Sequence, residues 1–91
     1  TNYNLILSNN VDNSIIVDAR IPLNELEKHY NCALIDPSID ADTLGGLIFY
    51  FQKSIPEVGK EIKHSNGLVF KIMDADMRRI KKIKVSGFPK V

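Results

Sequence analysis

The chain has 91 residues, 44 % of them hydrophobic and 25 % charged, with a formal net charge of +1. That length supports one domain, residues 1–91, with a single modest core, and excludes two. The near-neutral charge speaks against a dedicated nucleic-acid binder, and no apolar run reaches the roughly 18 residues of a membrane-spanning helix.

No signal-peptide pattern is present. A start at Thr1 instead of methionine reads as a segment excised from a longer protein. Cys32 is the single cysteine, so no internal disulfide forms and the chain suits a reducing compartment.

In chain order, Tyr3, Leu5 and Leu7 alternate in a first strand, Tyr3 to Leu7. The run Ser8 to Asn13 is dense in turn formers, and a second short strand follows at Ile15 to Val17. Pro22 suits a first helical turn, where its missing N–H costs nothing. Leu23, Leu26 and Tyr30 then form one helical stripe, with Glu25 and Glu27 early and Lys28 and His29 late. Asn31 is the expected left-handed stop. Residues 32 to 41 form a connector, with Pro37 holding Asp36 extended.

Asp40 or Asp42 is expected to cap a second helix. In it Leu44, Leu47, Ile48, Phe51 and Ile55 share one face, and Phe49 and Tyr50 widen the apolar arc, so it should be the more buried helix. Pro56 and Gly59 bracket a turn into β structure. Lys60 to His64 is a short strand, Asn66-Gly67 a hairpin signal, and Leu68 to Met73 a longer strand. Asp74 to Met77 is a second turn, Arg78 to Ser86 the last strand, and residues 87 to 91 a tail. In that last strand Ile80 is out of phase with Ile83 and Val85, which calls for a bulge near Lys81-Lys82. The order ββααβββ with short connections predicts an α+β fold, a small antiparallel sheet packed against two helices.

Four groups of residues invite a chemical reading. Gly45 and Gly46 cost about 1 kcal/mol each in a helix against alanine. They either admit a phosphate at the helix N-terminus or let a neighbouring backbone approach. The acidic connector before them favours close packing. Asp36, Asp40 and Asp42 are candidate oxygen ligands for a hard cation, but their spacing matches no calcium loop, and capping and turns explain them more simply. Arg78, Arg79, Lys81, Lys82 and Lys84 place five cations in seven residues. They suit an anionic surface, yet no aromatics interleave to stack bases, and charged gatekeepers on an edge strand are the plainer explanation. His29, His64 and Cys32 have no partners at metal or catalytic spacing, which leaves the histidines at the surface and the cysteine as a small apolar residue. No nucleophile–base–orienter set is evident, so the chain is expected not to be an enzyme and to need no cofactor.

Three segments together resemble one family. They are Val17-Asp18-Ala19-Arg20-Ile21-Pro22-Leu23-Asn24-Glu25-Leu26, then Asp42-Thr43-Leu44-Gly45-Gly46-Leu47, then Ile55-Pro56-Glu57-Val58-Gly59. The closing Phe70 to Val85, with Arg78-Arg79-Ile80-Lys81, completes the likeness to the CorC/HlyC transporter-associated domain. Ala19 departs from the glycine often found there. The resemblance implies a fold similar to FAD-binding/transporter-associated domains. It also implies a C-terminal, non-catalytic domain at the cytoplasmic face of the cell membrane, part of a hemolysin-like or magnesium and cobalt efflux protein. The domain would modulate ion transport. Its expected partners are the upstream CBS pair and transmembrane domain of the same polypeptide. The membrane surface and a second copy of the chain, as a homodimer, come after these, and nucleic acid is not expected. The alternative is a nucleotide- or flavin-binding module built on Gly45-Gly46. The resemblance transfers no ligand residues.

Overall fold

The computed structural model describes residues 5–9, 13–30 and 32–88. The elements are β1 (Ile6–Asn9), β2 (Ile15–Asp18), α1 (Leu23–His29), α2 (Leu44–Gln52), β3 (Glu61–Lys63), β4 (Val69–Ala75) and β5 (Ile80–Ser86). The ββααβββ order and the α+β class are those expected. One five-stranded sheet runs β1-β2-β5-β4-β3, with every neighbouring pair antiparallel. Tyr3 and Asn4 of the first expected strand, residues 10–12 of the following turn, Asn31 and residues 89–91 lie outside the described residues. No helix among the described residues is long and apolar enough to cross a membrane.

Alternation along the strands separates two faces. Val17, Phe70, Ile72, Ile83 and Val85 are fully buried and join Leu23 and Leu26 of α1 with Leu44, Leu47 and Ile48 of α2 in one core. Each such large side chain contributes about 1.5–3 kcal/mol by leaving water. The alternate positions stand on the opposite, open face. There Asp18, Lys82 and Asp74 lie side by side across three strands, a row of alternating charge.

This register corrects one expectation. The lysine-rich strand β5 is the centre of the sheet, between β2 and β4, and not an edge. Its lysines therefore do not guard an unpaired edge; they cover the open face. The expected bulge is present. Asp74 pairs with Lys82 and Ala75 with Ile80, so Lys81 is the extra residue. A second irregularity leaves Met73 extra on β4, between Ile72 paired with Ile83 and Asp74 paired with Lys82.

Both helices differ from expectation at their ends. Pro22 is the N-cap of α1, one position earlier than a first helical residue, and its carbonyl accepts from the amides of Glu25 and Leu26. The C-cap is Tyr30 in extended geometry. Helix α2 is capped by Thr43, whose Oγ1 accepts from the Gly46 amide at 3.1 Å, and not by Asp40 or Asp42. It stops at Lys53, in the left-handed region at φ 59°, before Ile55. Phe51 is thus not core: at 42 % exposure it stands with Phe49 and Tyr50 on the outer side of the helix.

The β3–β4 connection is not the type I′ turn that Asn-Gly favours, which needs positive φ at both central residues. Gly67 has φ 94° but Asn66 does not. The Asn66 side chain instead accepts from the Leu68 amide and donates to the Ala33 carbonyl, tying the hairpin to the connector.

Candidate functional site

Two backbone hydrogen bonds assemble a cavity beside the start of α2. The bulge at Lys81 turns its carbonyl toward the Ala19 amide, 2.9 Å away, and the Ala19 carbonyl accepts from the Gly45 amide at 2.8 Å. The start of β5, the corner after β2 and the first turn of α2 are thereby held together. Between them lies a cavity of about 360 Å³. Its floor is apolar, from Ala19, Ile55, Ile80 and Phe49, and Arg20, Arg78 and Arg79 stand around it. A second cavity, of about 520 Å³, shares Ile55 and is lined also by Glu57, Val58, Ala75, Asp76 and Met77.

The three arginines differ in what holds them. Arg20 grips Asp18 through Nε at 3.1 Å and Nη2 at 3.0 Å, and its amide also donates to the same carboxylate. Those bonds, with the charge of Arg79 nearby, hold the Asp18 carboxyl below its ordinary value despite partial burial. Arg78 and Arg79 were expected in the last strand but belong to the turn before it. Their amides donate to Asp76 Oδ1 at 2.8 and 2.9 Å, and the Asp76 amide closes the turn on the Arg79 carbonyl. Neither guanidinium has an ion-pair or hydrogen-bond partner among the described residues.

The basic run therefore divides. Arg78 and Arg79 face the cavity, Lys81 reaches Asp76 at 3.4 Å, and Lys82 and Lys84 stand on the open face of the sheet.

At the helix start the amides are already used. Leu44 donates to Ile21, Gly45 to Ala19 and Gly46 to Thr43 Oγ1. A phosphate cradle would need them free. The close-approach role belongs to Gly45: a Cβ there would sit 3.0 Å from the Ala19 carbonyl oxygen and 3.1 Å from its Cβ. At Gly46 the nearest atom is the capping Thr43 Oγ1, at 3.2 Å.

Asp36, Asp40 and Asp42 are not brought together, and no three potential ligands group for a metal among the described residues. Asp36 closes a local turn on Ser38 through both amide and hydroxyl, and the Asp42 carbonyl accepts from the Leu23 amide. Cys32 is half-buried and points its thiol at the Leu26 carbonyl, 4.0 Å away. Burial, with Glu27 nearby, pushes that thiol up. His29 is exposed as expected. His64 is instead half-buried between the rings of Phe51 and Phe70, with Nδ1 accepting from the Asn66 amide.

Reasoning on the sequence missed Arg20, Ile55 and Met77 as parts of this surface. The Asp18-x-Arg20 spacing was the available signal for the first. The other two are set by where α2 stops and where the β4–β5 turn falls.

The chain was compared with known proteins and structures. The family model of the transporter-associated domain CorC_HlyC matches residues 9–88. Hemolysin C of Rickettsia prowazekii strain Madrid E is 32 % identical over 74 residues, 81 % of this chain and 24 % of that protein. The chain thus spans about a quarter of that relative's length. A functionally unknown conserved protein from Haemophilus influenzae Rd KW20 superposes with a TM-score of 0.78 at 31 % identity, covering 89 % of this chain and 96 % of that one. The domain of a Xylella fastidiosa Temecula1 hemolysin, solved in complex with Mg²⁺ and Mn²⁺, gives 0.76 at 25 % identity over 93 % and 99 %. With the family model spanning nearly the whole chain, the domain belongs to the CorC_HlyC transporter-associated family.

Proposed function

We propose that this domain is a non-catalytic regulatory module at the cytoplasmic face of a hemolysin-like or magnesium and cobalt efflux membrane protein. It acts by contacts with the CBS pair and transmembrane domain of the same polypeptide. The observation that supports this most is that the reactive side chains already have structural work. Asp18, Asp36 and Asp76 fix turns, the Cys32 thiol turns inward, and His64 sits between two rings. What stays unpaired is a surface, Arg78 and Arg79 beside exposed apolar groups, and that suits recognition better than catalysis. The fraction of a hemolysin C that the chain spans agrees with a module in a larger protein.

A nucleotide- or flavin-binding role has less support, because the Gly45 and Gly46 amides are engaged within the fold. The test is deletion of this domain from the full-length protein, followed by measurement of Mg²⁺ and Co²⁺ flux and its regulation. Altered regulation with transport retained is expected. Unchanged flux and unchanged regulation would overturn the proposal.

A further inference from the structure

We infer that the two cavities joined at Ile55 form one groove that binds an acidic, extended peptide segment. Carboxylates of that segment meet Arg78 and Arg79, and one apolar side chain enters each cavity. The inference rests on the reading above, that the domain works through contacts with other protein segments, and it names the surface and the chemistry of the partner.

Charge complementarity is the first argument. The backbone of Arg78 and Arg79 is fixed by its amides on Asp76, and neither guanidinium is hydrogen-bonded or ion-paired to a described residue, although Arg79 lies within electrostatic reach of Asp18. Planar guanidinium groups match carboxylates with two parallel hydrogen bonds. Asp76 itself offers little repulsion, because both arginine amides and Lys81 already share its carboxylate.

Shape is the second. Phe49, Val58 and Met77 are 48, 58 and 97 % exposed around the groove. A methionine left in water at the wall of the second cavity has a use if something covers it. Because two separate cavities share Ile55 as a common wall, the surface suits an extended chain with alternating side chains better than a compact ligand. It is also concave, which suits a peptide better than a flat bilayer. Glu57 borders the second cavity, so the acidic end of the peptide belongs at Arg78 and Arg79 and the apolar end at Met77.

The third argument is rigidity. The Lys81–Ala19–Gly45 hydrogen bonds fix the first cavity's walls before any partner arrives, which lowers the ordering cost of binding.

The solved Haemophilus chain is matched over 96 % of its length, so this fold stands alone and the domain can be tested by itself. The probe is a fluorescein-labelled peptide alternating Glu with Leu and Phe, titrated with the domain and followed by anisotropy. Saturable binding is expected, weakened at least about tenfold by R78E/R79E and equally by Met77→Asp, which keeps both arginines. The control K82E/K84E makes the same charge change on the open sheet face and should leave affinity unchanged. Thermal unfolding verifies that each variant is folded. Equal loss in both charge-reversed variants, equal binding of an all-Glu peptide, or no binding at all would overturn the inference. So would binding to phosphatidylserine vesicles that R78E/R79E abolishes, with none to the peptide, which would point to a membrane. In the full-length protein, an effect of domain deletion without an effect of R78E/R79E would sink the groove and leave the regulatory role standing. A silent deletion would sink the regulatory role, and the peptide titration would still decide the groove.

Discussion

At Gly45 an added side chain would press on Ala19, and Ala19 has no room to retreat. It is 3 % exposed, and its amide and carbonyl are tied to Lys81 and Gly45. At Gly46 the one tight neighbour is the Thr43 hydroxyl, the end of a rotatable side chain, with the Ala41 Cβ at ordinary contact distance, 3.8 Å. Both glycines forgo up to about 1 kcal/mol of helix propensity. Alanine at Gly46 recovers part of that for a small disturbance of the cap. Alanine at Gly45 must displace backbone, which costs about 1–3 kcal/mol as overpacking does elsewhere. Gly45→Ala is therefore expected to lower the thermal midpoint, while Gly46→Ala leaves it level or slightly higher. Equal midpoints would show that the Ala19 corner yields. The sequence made a packing role for the pair legible through the acidic residues before it. Which glycine carries the role was not legible, since that depends on how the corner after β2 meets α2. The same limit hid the cap: Asp40, Asp42 and Thr43 are all competent N-caps, and only the path of the connector selects Thr43.

The β4–β5 hairpin shows what strand patterns reveal and what they conceal. The bulge at Lys81 was readable because Ile80 and Ile83 fall out of phase, and burial forces a repair. The irregularity at Met73 left no such mark, because β4 holds only Asp74 and Ala75 after it, with no large apolar residue to betray a changed phase. Arg78 and Arg79 carry no alternation either, so their place in the turn was invisible, and with it their approach to the groove. Asp76 is the residue that sets this turn. Its carboxyl lies below the ordinary value, chiefly because the Arg78 amide and then the Arg79 amide donate to it, with Lys81 adding charge. A carboxyl lowered in the folded state stabilises fully above its unfolded value, about 3.9, and loses that contribution as pH falls toward the folded value. Asp76→Asn keeps an acceptor oxygen but no charge. Wild type should be the more stable in urea at neutral pH, with the gap closing below about pH 4. A gap that stays constant down to pH 2 would mean that the charge of Asp76 contributes nothing to the turn.

Across the whole molecule, Gly87 and Phe88 act as a clasp, which a reading of residues 87–91 as a tail did not foresee. Two residues after a strand carry no periodicity, so only their surroundings give them a role. Gly87 has φ 86°, and a Cβ there would fall 2.5 Å from the Gly67 carbonyl oxygen, so the backbone crosses the β3–β4 hairpin at close range. That crossing delivers Phe88 to Tyr30, ring centroids 4.8 Å apart and planes 25° from parallel. The end of β5, the β3–β4 connection and the end of α1 are thus joined at one point. Tyr30 gains burial there, which pushes its phenol up. A fully buried Phe→Ala change costs about 3–5 kcal/mol, and Phe88 is only partly buried, so Phe88→Ala should cost about 1–2 kcal/mol. Gly87→Ala should cost about 1–3 kcal/mol, through both the positive φ and the backbone clash. Because both changes release the same clasp, the double variant should lose less than the sum of the single losses. Urea unfolding of the four proteins measures this directly. Strict additivity would mean that Gly87 and Phe88 act separately, and an unchanged midpoint for Phe88→Ala would mean that the ring contact holds nothing together.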